Sequence, residues 1–160
     1  MKKEIINLLE KEPQLTNAEL AAMLGISEEE VAAQVAELKK MGVIRGQKLI
    51  VNRELIGDSK ITALIEIKVT PKSKLGFDAI AHQIAEFEEV QSLYLMSGGF
   101  DLAVTVTGNT FHDVAMFVAK RLSPLESVVS TATHFILRPY KELGIKMNDS
   151  GTDDRGIVSL

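Results

Sequence analysis

The chain contains no cysteine, which excludes a disulfide framework, a zinc–thiolate centre and a thiol nucleophile. No apolar run approaches the ~20 residues that a membrane-spanning helix needs. The opening MKKEIINLLEKE mixes acids into an amphipathic pattern, unlike a signal peptide. Positive charge is not in excess either: 18 Lys and Arg stand against 22 Asp and Glu. That balance argues against a generally basic nucleic-acid binder. There is no phosphate loop, no dinucleotide fingerprint, no G-x-S-x-G elbow and no H-E-x-x-H pair. The three histidines, His82, His112 and His134, have no metal-ligand spacing and no carboxylate at a fixed offset. These absences predict a soluble cytoplasmic protein with no metal site, no cofactor and no enzymatic chemistry.

What is present suits a folded regulator. The chain has 160 residues, 46% hydrophobic and 25% charged, and a chain this long can bury roughly 70% of its unfolded surface. Ile5, Leu8 and Leu9 share one helical face in residues 2–12, with Ile6 flanking it, and Pro13 closes that helix. Thr16-Asn17-Ala18-Glu19 is a capping-box pattern. The helix it opens is expected to bury Leu20, Met23 and Leu24 and to stop at Gly25. Ser27 followed by Glu28, Glu29 and Glu30 repeats the start signal, and a third helix turns Val31, Val35 and Leu38 inward before Met41-Gly42. Residues 43–51 read as two short strands around Gly46-Gln47. Three helices with a tight turn between the last two, then a hairpin, give the order of a winged helix-turn-helix over residues 1–52.

Residues 53–60 read as a linker. Beyond them, ITALIEIKV alternates as a strand, and residues 71–76 as a loop. Phe77, Ile80, Ala81 and Ile84 recur at helical spacing. VQSLYLM and LAVTVTG form a hairpin around Ser97-Gly98-Gly99-Phe100-Asp101. Phe111, Val114, Ala115, Val118 and Leu122 mark a second helix, ended by Pro124, and VVSTATHFIL is the last strand. The fold class is therefore α+β. Residues 61–145 follow the ferredoxin-like β-α-β-β-α-β order, a four-stranded antiparallel sheet with both helices on one face. The second face is expected to expose Leu64, Leu93, Leu95, Val129, Phe135 and Leu137, which predicts a homodimer that covers it. Residues 146–160 are polar and Gly-rich and read as a tail.

Both the stretch LTNAELAAMLGISEEEVAAQVAELKKMGVIRG and the later MSGGFDLAVTVTG and VVSTATHFIL resemble the Lrp/AsnC (leucine-responsive, feast/famine) family of transcriptional regulators. The resemblance covers about residues 1–145. It implies a dimer that can assemble further into an octamer, binds double-stranded promoter DNA and responds to an amino acid or similar effector. In such proteins the effector lies between subunits, near the glycine-containing turn of the second hairpin. That position corresponds here to Ser97, Gly98, Gly99, Phe100 and Asp101, with Thr131 and Thr133 of the last strand.

Each site has a plainer explanation beside it. A recognition helix offers its N-terminal outer side chains to the major groove, yet here these are Glu28, Glu29, Ala32, Ala33 and Ala36. Only Gln34 belongs to the residue types that commonly read base edges, and the sequence departs from relatives that carry Arg in this helix. The acids are explained by the helix dipole. DNA contact is instead expected from Lys39, Lys40, Arg45, Lys48 and Arg53, a stretch with no acid among residues 39–53. At the turn, Gly amides can receive a carboxylate and Asp101 an α-ammonium, whereas a tight hairpin alone also calls for Gly. Two other functions compete: a ligand-sensing interaction module that no longer reads DNA, and an enzyme like the tetrapyrrole decarboxylases that resemble this family. The scattered Arg45, Arg53, Arg121, Arg138 and Arg155 argue against the latter, whose polycarboxylate substrate would require clustered arginines.

Overall fold

The computed structural model describes residues 1–70 and 76–147. The chain divides into two compact units, residues 1–49 and residues 50–160.

In the first unit, α1 (Lys2–Lys11), α2 (Asn17–Leu24) and α3 (Glu28–Lys40) follow the sequence signals within a residue or two. Thr16 caps α2 in a complete box: its hydroxyl accepts from the Glu19 amide at 3.2 Å, and the Glu19 carboxylate accepts from the Thr16 amide at 2.8 Å. Ser27 caps α3 by accepting from the Glu30 amide. Leu20, Ala21 and Val31 form the buried cluster, flanked by Leu8, Leu9, Leu15, Ile26 and Val35. Met23 is a correction: it is 57% exposed, and Ala21 takes the buried place instead.

A second correction concerns residues 43–51, which form neither strand of the expected hairpin. The chain leaves α3 through Gly42, whose φ of 72° is the left-handed region. Arg45 then folds back so that its Cζ lies 2.9 Å from where a Gly42 Cβ would stand. Gln47 donates to the Pro13 carbonyl at 3.0 Å. The segment is thus held to its own helices rather than paired with itself.

The second unit begins with a 3₁₀ turn (Arg53–Ile56), where the sequence suggests a linker. The strands β1 (Ile61–Val69), β2 (Val90–Leu95), β3 (Leu102–Gly108) and β4 (Val128–Ile136) form an antiparallel sheet in the order β2-β3-β1-β4. Between them run α4 (Phe77–Ala85) and α5 (Phe111–Phe117), the latter continuing as a π turn over Val118–Leu122. Ile80, Ile84, Val114, Phe117 and Leu122 pack on the inward pleat of Ala63, Ile65, Ile67, Leu102, Val104 and Val106. Both helices cover one face, as the βαββαβ pattern requires. A short hairpin of β5 (Lys141–Glu142) and β6 (Ile145–Lys146) follows; its turn holds Leu143 at φ 43° and Gly144 at φ 87°.

The register overturns the apolar second face. Leu93 pairs with Val104, Leu95 with Leu102 and Phe135 with Ala63, so all three sit on the pleat shared with the helix-covered core. Leu93 and Phe135 pack against that core. Val129 lies at the bulge between the β1 and β4 registers, and Leu137 falls beyond the strand. Only Leu64 remains from the expected set on the open pleat, which also carries the apolar Tyr94, Ala103, Ala132 and Ile136 among polar residues such as Thr62, Glu66, Lys68, Thr105 and His134. The miss is a phase error. Strands apolar on both pleats give alternation no preferred register.

Candidate functional site

The basic residues sit at the C-terminal end of α3 and just beyond it. Lys39, Lys40, Arg45 and Lys48 are exposed. Lys39, Arg45 and Lys48 rim a groove of about 540 Å³ whose floor includes Ile6, Leu9, Leu15, Leu20, Val35 and Ile44. Glu28, Glu29 and Glu30 are exposed at the opposite end of the helix. The long axis of α3 therefore separates an acidic first turn from a basic last turn, the arrangement its dipole favours. Gln34 departs from the expected outward role: its side-chain oxygen is buried with no hydrogen-bond partner among the described residues. Arg53 lies in the second unit, where Nη1 meets Asp58 Oδ2 at 2.5 Å. Within the first unit the structure brings together Lys39, Lys40, Arg45 and Lys48, and turns the Gln34 oxygen inward; Arg53 belongs to the second unit.

Residues 97–101 join β2 to β3. Asp101 fixes the base of this turn by three hydrogen bonds. Its amide donates to the Ile67 carbonyl at 3.0 Å, its carbonyl accepts from the Met96 amide at 2.8 Å, and Oδ2 accepts from the Val69 amide at 2.8 Å. Among the described residues, the amides of Ser97, Gly98, Gly99 and Phe100 make no hydrogen bond. A Cβ placed on Gly98 or Gly99 would meet nothing within 4 Å, so the turn faces open space. Thr131 and Thr133 pair with Ile67 and Ile65 on the far side of β1. Thr131 lies near the level of the turn and Thr133 two residues further into the sheet, and both stand two strand spacings from β3, about 10 Å. Both are half-buried on the helix-covered pleat.

One pairing escaped the sequence. His134 Nε2 stands 3.4 Å from Glu66 Oε1 on the open pleat. Only the β1–β4 register reveals it, because the two residues are far apart in the chain.

Comparison with known proteins identifies both units. Residues 62–145 match the Lrp/AsnC ligand binding domain, and residues 1–45 match a winged helix-turn-helix DNA-binding model. The chain belongs to the Lrp/AsnC family. It is 44% identical over 156 residues to the HTH-type transcriptional regulator YugG of Bacillus subtilis, covering 97% of this chain and 93% of that protein. Among solved structures it resembles the leucine response regulatory protein LrpA of Mycobacterium tuberculosis, with a TM-score of 0.75, 22% identity, and coverage of 92% of this chain and 97% of the other. A transcriptional regulator of Neisseria meningitidis, solved as a complex with L-methionine, gives a TM-score of 0.69 at 20% identity, covering 92% and 95% of the two chains. As an Lrp/AsnC protein the chain is a transcriptional regulator that couples a DNA-binding helix-turn-helix to a ligand-binding domain. Among its described residues no helix is long and apolar enough to cross a membrane.

Proposed function

We propose that this regulator binds double-stranded DNA chiefly through phosphate contacts and responds to an amino acid held at the β2–β3 turn. The observation that supports the first part is the cluster of Lys39, Lys40, Arg45 and Lys48 beside a recognition helix whose first turn is acidic. Cations at a helix end and in the following segment neutralise phosphates whatever the base sequence. Glu28 to Glu30 repel phosphates, and Gln34 turns its oxygen inward. Binding is then expected to be strongly salt-sensitive and weakly sequence-selective. Two copies carry eight such cations, and with about half of them on phosphates the log–log salt slope is roughly −3 to −4.

For the effector, the solvent-facing amides of Ser97 to Phe100, which take no protein acceptor among the described residues, support recognition of a carboxylate. The L-methionine bound to the Neisseria meningitidis regulator supports an amino acid as the class of ligand. A homodimer is the assembly we propose. Its support is now the exposed Leu55, Ile56, Leu137, Tyr140, Leu143 and Ile145 of the second unit, since the open pleat of the sheet is mixed in polarity.

The same acidic turn favours a second reading, an effector-sensing module that contacts proteins rather than operator DNA. Titration of labelled upstream DNA across a salt series separates the two. Salt-dependent binding with the slope above supports the regulator acting on DNA, and absence of binding at low salt favours the module. A thermal-shift screen of the twenty L-amino acids tests the effector, since a ligand at a hundredfold excess over its Kd stabilises by about 2.7 kcal/mol.

A further inference from the structure

From the geometry at the end of β1 we infer that Asp101 is a positioning residue that ends the sheet ladder and frees the effector turn, rather than the partner of the ligand's ammonium group. The inference rests on reading Ser97–Phe100 as the effector site. The β1–β3 register runs from Ile61↔Gly108 to Ile67↔Leu102, and one further main-chain bond follows, from the Asp101 amide to the Ile67 carbonyl. The next inward-pointing donor of β1 on this side is the Val69 amide. In a ladder continuing the register of Ile67 opposite Leu102, it would bond the backbone carbonyl of Phe100, one residue before Asp101. It bonds Asp101 Oδ2 at 2.8 Å instead. A side-chain carboxylate thus stands in for a missing carbonyl, and the strand can stop without leaving a donor of β1 unpaired.

This substitution has a consequence for Ser97 to Phe100. Because Asp101 satisfies Val69, the preceding residues need not stay against β1, and their amides are left for a ligand. The Asp101 carbonyl meanwhile holds Met96 at the other foot of the turn. Both feet are pinned and the tip is free. The clamp also coincides with the bulge where the β1–β4 register shifts between Lys68 and Val69. The extra residue there is Val129 of β4, so the fixed Val69 amide stands opposite the point where β4 is bulged.

Charge and hydrogen-bond acceptance make different demands, and the isosteric Asp101→Asn separates them. An amide oxygen can still accept from Val69, but it carries no charge for an ammonium group. In the full-length wild-type chain, the Val69 amide is expected to exchange with solvent at least about tenfold more slowly than an unstructured amide. Asp101→Ala is expected to lose that protection and Asp101→Asn to keep it. With the amino acid that gives the largest thermal shift on wild type as probe, Asp101→Asn should bind within about threefold of wild type, and Asp101→Ala at least about tenfold more weakly. An unprotected Val69 amide in wild type would overturn the clamp without any variant. An Asn variant that keeps Val69 protected yet binds as poorly as the Ala variant would return Asp101 to direct contact with the ligand. Unchanged affinity in both variants would show that the clamp does not shape the site. If no amino acid shifts the wild-type melt, the effector reading fails by itself, and the exchange at Val69 still decides the clamp.

Discussion

The two units of this regulator are stabilised in different ways. Among the described residues, five apolar side chains are buried in the first, Ile5, Leu20, Ala21, Val31 and Leu38, and thirteen in the second, from Ala63 to Leu122. The first unit is three short helices whose ends are finished by local chemistry, with the Thr16 box, the Ser27 cap and a Lys2–Glu37 bridge at 2.6 Å from α1 to α3. The second is a sheet whose central strands are buried on the helix side along nearly their whole length. A small core leaves each cap a large share of the margin, whereas a large core makes any cap a minor contributor. Local changes are expected to remove a larger share of stability in the first unit, and core changes to give the largest losses in the second.

The largest effect should come from the sheet. Ile65 is fully buried and pairs with Val104 on one side and Thr133 on the other. Ile65→Ala is expected to cost about 2–5 kcal/mol, the transfer of the lost methyls plus the cavity that a close-packed neighbourhood cannot collapse. Chemical denaturation followed by hydrogen exchange should show the loss across residues 61–136 and not in the three N-terminal helices. Equal loss in both would mean that the units unfold as one, and the contrast would fall.

A smaller effect is expected at Arg121. Its guanidinium stacks over Phe87 with Cζ 4.3 Å from the ring centre, and Nη1 donates to Glu89 Oε1 at 2.6 Å. The π turn over Val118–Leu122 carries this side chain, so the irregularity is tied to a specific contact. Arg121→Ala should cost about 1–2 kcal/mol, combining a half-exposed cation–π contact with a charge-assisted hydrogen bond. Arg121→Lys should recover only part, because an ammonium cannot stack as a plane. Full recovery by Lys would reduce the contact to simple charge pairing.

Which of these features the sequence announces follows from their physical range. Helix starts are local: a hydroxyl at Thr16 or Ser27 and a carboxylate three residues on are read directly, and both hydroxyls cap as expected, though only Glu19 returns the second bond of the box. The β-α-β-β-α-β order is also local, since each element needs only its own periodicity. Sheet phase is not. Leu93, Leu95 and Phe135 are assigned to a pleat only by neighbours on other strands, and strands such as VQSLYL carry apolar residues too evenly to decide it. The absent hairpin at 43–51 has a similar cause, because Arg45 packs over the space beside Gly42 and Gln47 bonds Pro13, neither of which a turn rule foresees. At the candidate sites, sequence located the basic stretch and the glycine turn. It missed the Asp101–Val69 bond, because a carboxylate that replaces a carbonyl looks in sequence like any acid beside a turn.

The smallest effect tests the local side of the contrast. Hydrogen bonds from the Thr16 amide, and then from its hydroxyl, hold the Glu19 carboxyl below its ordinary value of 4.5. A carboxyl depressed on folding binds its proton more readily in the unfolded chain, so folding is favoured wherever the unfolded group is ionised. This contribution is complete above the unfolded value and disappears as pH falls through the lower folded value. Acidification from about pH 5 to about pH 3 should therefore loosen α2 in wild type, and Glu19→Gln should flatten that part of the dependence while keeping a box-competent side chain. The readout is exchange at the α2 amides in full-length protein, with the amides of β1 and β3 as internal reference. An identical acid response in wild type and Glu19→Gln would show that the box contributes nothing through ionisation, and the local side of the contrast would then rest on the Ser27 cap and the Lys2–Glu37 bridge.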